Sequence, residues 1–130
     1  SLGLVGSEMC IRDSLAGNYR CVQQNEMRTI REAVHTDLVE TREVYEWVSE
    51  LCVSLGASSS DMVPFEKYAN AAESLISPSS AARALAAGAP NIERVDKLVQ
   101  SIAKNTGKSL QSINETVQLV DEWLEKNRAQ

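Results

Sequence analysis

Aromatic residues make up only 5% of this 130-residue chain, and it has a single histidine, His35. Sheets draw heavily on aromatic and β-branched side chains. Their shortage, beside abundant Ala, Leu, Val, Ser and Glu, points to helix bundles or coiled coils. No apolar stretch approaches the 18 or more residues of a membrane span, and Leu2–Val5 is too short for a signal-peptide core. Basic runs are missing and the net charge is -5, which argues against nucleic acid or anionic lipid as a partner and against membrane insertion. Cysteine is sparse and odd in number: Cys10, Cys21 and Cys52 lack CxxC spacing. A disulfide framework and a zinc site are therefore not expected, and reduced thiols in a cytoplasmic protein are.

What the chain does have is helical periodicity. From Pro90 to Asn127 the residues Ile92, Val95, Leu98, Val99, Ile102, Leu110, Ile113, Val117, Val120, Trp123 and Leu124 fall at the three-and-four spacing of one helix stripe, predicting one terminal helix over 91–127. It would be roughly 50 Å long at 1.5 Å per residue. A second long helix is predicted over 15–55, where Met27, Val34, Val48 and Leu55 share one seam of a seven-residue frame and Ile30, Val44 and Leu51 the other. Asp37 and Thr41 interrupt that seam, as register-setting polar residues do. Between the two, Gly56 closes the first helix, Ser60 or Asp61 caps a short helix over 61–76 containing Pro64, and Ser77 caps another over 78–87 that ends at Gly88. The expected fold is all-α: a single domain over 15–130, an elongated, coiled-coil-like hairpin or bundle of two long and two short helices. The run Val5–Ser14 (VGSEMCIRDS) resembles a translated sequencing-adaptor read-through, so residues 1–14 are expected to be a non-native or disordered leader.

Motifs that carry chemistry are few. Glu32-Ala-Val-His35 has the ExxH spacing of di-iron bundles, but such centres need two copies and His35 is alone. Asn105-Thr106-Gly107-Lys108-Ser109 ends like a phosphate-binding loop, yet no strand precedes it and Ile102 occupies the place of the required earlier glycine. A local loosening of the helix at Gly107 is the expected consequence. Asn114-Glu115-Thr116 matches a glycosylation acceptor without a secretory signal. No serine or cysteine has a recognisable acid and base beside it. No catalytic, cofactor-binding or metal-ligating residue is assigned, and the chain is expected not to be an enzyme. Trp47 and Trp123 suit either a core or a partner interface.

The stretch Pro90-Asn-Ile-Glu-Arg-Val-Asp-Lys-Leu-Val-Gln-Ser-Ile102, with Ile113-Asn-Glu-Thr116 and Asp121-Glu-Trp-Leu124, resembles the C-terminal half of the dynactin light subunit, dynactin subunit three. This chain is shorter than that family between the matched blocks. The resemblance implies a non-enzymatic subunit of the dynactin shoulder, bundled with dynamitin and other shoulder subunits, in an assembly linking dynein to cargo and microtubules. It also implies a cytoplasmic, cytoskeleton-associated location and no cofactor. A competing expectation is a self-contained helical bundle serving as an accessory or small-ligand-binding protein. If partners complete the bundle, the seam residues Val34, Val44, Val48, Leu51, Val95, Val99, Ile102, Ile113, Val120 and Trp123 form the interface. Val48→Asp or Ile102→Asp then abolishes co-purification with those partners, because a buried unpaired charge is costly; undiminished co-purification contradicts the assembly reading.

Overall fold

The order of elements follows from where helix-starting and helix-stopping chemistry falls. A computed structural model describes residues 11–58 and 63–130. Helical residues 11–13 run into a π-helix, Ser14–Asn18, and a 3-10 turn, Tyr19–Cys21. A loop pinched by an isolated antiparallel bridge between Val22 and Met27 follows. Six α-helices come next: α1 Ile30–His35, α2 Leu38–Ser54, α3 Phe65–Ala72, α4 Ser80–Ala86, α5 Val95–Asn105 and α6 Gln111–Arg128. Among the described residues there is no strand beyond that bridge.

The two long helices of the sequence reading are each divided. Thr29 starts α1 through a capping box: its side chain accepts from the Glu32 amide while the Glu32 carboxylate accepts from the Thr29 amide. Hydrogen bonding from the Thr29 amide, and then from its side chain, holds the Glu32 carboxyl below its ordinary pKa. Asp37 then starts α2 by accepting from the Glu40 amide, so it breaks the helix where a register residue was expected. Upstream, residues 15–29 are π-helix, 3-10 turn and loop. The terminal helix stops at Asn105. Gly107 has φ +76°, and Lys108 N–H reaches back to the Ala103 carbonyl at 2.8 Å, closing α5 before α6 begins. α6, with 18 residues, is thus roughly 27 Å long. Shorter boundary shifts follow the same logic. Ser79 rather than Ser77 caps α4, Pro64 precedes α3, and the proposed Ser60 or Asp61 cap lies outside the described residues.

These pieces fold over one another instead of forming a rod. The pairs Arg94–Asp121 and Gln100–Asn114 show α5 and α6 running antiparallel. One core cluster gathers Leu15, Val44, Val48, Leu51, Val99, Ile113 and Val117 around Tyr45, Phe65 and Tyr68. Tyr45 stacks on Tyr68 at 5.2 Å and meets Phe65 edge-on at 5.5 Å. A second cluster joins Tyr19, Cys21 and Val22 to Ala82, Leu85, Val120 and Leu124. The accessible surface, 7408 Å² for 14.2 kDa, lies close to the roughly 6,800 Å² of a compact monomer of that mass. The elongated coiled-coil hairpin, and the dynactin-shoulder description built on it, are thereby overturned: the apolar stripes close on each other within a single chain.

At the centre of the bundle runs Ser14–Cys21, buried save for half-buried Asn18. Gly17 is required there by a close approach, since a Cβ on it would lie 2.0 Å from Tyr68 Oη. Gly17→Ala is expected to destabilise the fold by about 1–3 kcal/mol through overpacking. Most of that loss should vanish in a Tyr68→Phe background, where the clashing oxygen is gone. Denaturant melts of the two single variants and the double variant measure the coupling.

Candidate functional site

The interface residues named from the sequence pack inside this chain. Val34, Val44, Val48, Leu51, Val99, Ile113 and Val120 are buried, and Val95, Ile102 and Trp123 are half-buried against the two clusters. Glu32 and His35, the ExxH pair, are each committed elsewhere. Glu32 closes the capping box, and His35 Nε2 lies 2.8 Å from the Ala69 carbonyl at the end of α3. The amides after Lys104 that would have to cradle a phosphate are spent on closing α5. Cys21 and Cys52 are buried, and burial pushes the Cys21 thiol above its ordinary pKa. Trp123 donates its indole N–H to the Gln23 carbonyl at 2.6 Å and carries the Lys126 ammonium over its ring at 5.0 Å, so it fastens the 22–27 loop to α6.

Three buried charges have no counterpart in the sequence reading. Arg12, 1% exposed, lies over the Tyr45 ring and donates to the Val63 carbonyl. Arg20 donates to Thr41 Oγ1 at 2.7 Å; burial lowers its pKa against the opposing pull of Glu40. Asp96 is fully buried and grips Arg94 with both oxygens at 3.0 Å, while Arg94 reaches Asp121 at 2.7 Å. Two residues apart at a helix start, Arg94 and Asp96 read in sequence as ordinary surface charges. In the fold they tie the start of α5 to the middle of α6. Tyr19 Oη completes the join, donating to the Glu93 carbonyl and accepting from Val95 N–H at 3.1 Å. Burial raises the Tyr19 pKa. The polar groups of Tyr19, Arg94 and Asp96 are used to position helices, whereas Arg12 Nε is buried without a hydrogen-bond partner among the described residues.

Surface clefts are the remaining candidates. Four range from about 380 to 450 Å³. Three are shallow and as polar as they are apolar; the fourth, about 380 Å³, is more enclosed and mainly apolar. Trp47 of α2 forms one wall, Gln100, Ala103 and Lys104 of α5 a second, and Ile113 and Asn114 of α6 a third, with Lys108, Ser109 and Leu110 closing the end. It exists because Gly107 turns the chain back, leaving a gap between the diverging ends of α5 and α6 that the half-buried Trp47 only partly fills. Gln100 donates to Asn114 at 2.9 Å across one edge and holds α5 and α6 together there. Residue type marked Trp47 as suited to a core or a partner interface; that it borders a cleft required the break at Gly107.

No family model matches this chain, and no curated protein or solved structure matches it. No helix among the described residues is long and apolar enough to cross a membrane. The chain is, on these observations, a closed all-α bundle with an aromatic core, exposed aliphatic side chains, and an apolar cleft at Trp47. Removal of Arg94 strands Asp96 as a lone buried carboxylate, so Arg94→Ala is expected to lower stability by about 3–5 kcal/mol. Asp121→Ala, at a 40% exposed side chain, should lose less than about 1 kcal/mol. Urea melts of the two variants at neutral pH test the contrast.

Proposed function

We propose that this protein is an accessory module that works by binding, with no chemistry of its own, and that its ligand is a small, largely apolar molecule held at Trp47. The observation that carries the reading is the cleft itself. It is present without any partner, is of the size that small-molecule sites occupy, and has a mainly apolar lining with a few polar groups at the edge. A self-contained core supports it, because a bundle whose stripes are already satisfied needs no other chain to hold the cleft open. Titratable side chains that could serve catalysis are occupied in holding the fold: His35 on a carbonyl, Glu32 in a cap, Asp96 and Asp121 on Arg94.

Exposed aliphatic residues favour a second reading, docking onto another protein. Val39 is 82% and Ile76 70% exposed, and Leu38, Val53, Leu55, Leu75 and Leu98 are also open to solvent. They are spread over α2, α5 and the segment after α3. Specific interfaces concentrate binding in a contiguous buried patch, so the enclosed cleft is the better-supported site.

Two measurements test the proposal. Sedimentation velocity is expected to give a compact monomer; an elongated or self-associating species contradicts the self-contained bundle. Titration with octan-1-ol, a neutral apolar probe, is expected to perturb the Trp47 indole resonance saturably in a proton–nitrogen correlation spectrum. Perturbation spread over the whole spectrum without saturation contradicts a preformed site.

A further inference from the structure

We infer that the Trp47 cleft selects an amphipathic anion: an aliphatic or aryl carboxylate whose tail lies on Trp47 and whose head meets Lys104 and Lys108. The inference rests on the ligand-binding reading above and adds the charge of the ligand. Two lysines, Lys104 and Lys108, line the cleft, and no acidic residue does. That is a local excess of positive charge in a chain with 18 acidic and 13 basic residues. Lys104 and Lys108 stand on either side of Gly107 in the chain.

Two helix ends meet at this cleft, the negative C-terminus of α5 and the positive N-terminus of α6. Leu110, which lines the cleft, is also the N-cap residue of α6, and no side chain caps this 18-residue helix. Its first amides carry the positive end of the helix dipole. α3 and α5 likewise start without a side-chain cap, whereas the Glu40 amide at the start of α2 donates to Asp37. Trp47, Ala103, Leu110 and Ile113 supply the apolar lining, with the Gln100 and Asn114 amides along one edge. The indole N–H of Trp47 makes no hydrogen bond among the described residues. Two cationic side chains beside a mainly apolar lining fit a carboxylate with a tail, and disfavour both a fully polar anion and a cation.

The test compares octanoate with octan-1-ol by calorimetry and Trp fluorescence, using the intact protein and its Lys104→Gln/Lys108→Gln variant. Both lysines are exposed, so the variant is expected to keep its helical circular dichroism and melting point. The intact protein should bind octanoate at least tenfold more tightly than octan-1-ol. That margin should shrink as salt rises and vanish in the variant. Equal affinity for the two probes overturns the anion inference while leaving a ligand site. Octanoate binding unchanged in the double variant overturns the placement of the carboxylate. Saturable binding of neither probe overturns this inference and the ligand-binding reading together.

Discussion

Buried backbone must find a partner for its polar groups, and that requirement organises this molecule. The chain sends Ser14–Cys21 through the middle of the bundle in π and 3-10 geometry, with the weaker internal hydrogen bonding of such turns. Its carbonyls are met from all sides. Ser79 Oγ donates to Asn18 at 2.7 Å, Arg28 Nε to Arg20 at 2.9 Å, and the Arg28 amide to Cys21 at 2.9 Å. Tyr68 Oη lies at 3.5 Å from the Asp13 carbonyl, the outer limit of a hydrogen bond. Each partner belongs to a different part of the chain, so satisfying this segment fixes where α3, α4 and the 22–29 loop must lie. Apolar packing then fills the space between them.

The same segment explains why polar side chains lie deep in a protein of ordinary helical composition. Arg20 is buried because it leaves the central segment inside the bundle, where Thr41 Oγ1 receives it. Thr41 faces the Val34 and Asp37 carbonyls, both at 2.9 Å, and bridges the kink between α1 and α2. Tyr19 leaves on the other side and fastens the start of α5, where the Arg94–Asp96 pair takes over. These contacts hold α5 and α6 in place, and the cleft at Trp47 is the space they leave where the two helices separate.

How much of this was readable depended on whether the controlling interaction was local. The stop at Gly56, the short small-residue helix before Gly88, and the loosening at Gly107 follow from residues within a turn of each feature. The capping box at Thr29–Glu32 was equally local and was masked by an apolar spacing that ran straight through it. Heptad spacing picked out Val34, Val44, Val48 and Leu51, which are buried, and also Leu55 at the helix end, which is open to solvent. It does not record whether the helix between them is continuous. Trp47 stood out by residue type alone, whereas Lys104 and Lys108 gain meaning only beside it.

By itself, then, the order of residues determined helical character, the positions of most stops, and which side chains seek an interior, because those depend on backbone propensity and on apolar surface leaving water. Tertiary structure alone decided that the stripes face one another within one chain. It also decided that the glycine-marked break becomes a reversal, and that charges such as Arg20 and Asp96 lie inside. Arg20 is received by Thr41 and Tyr19 by Val95, partners 21 and 76 residues away, and a partner at that distance leaves no periodic trace along the chain.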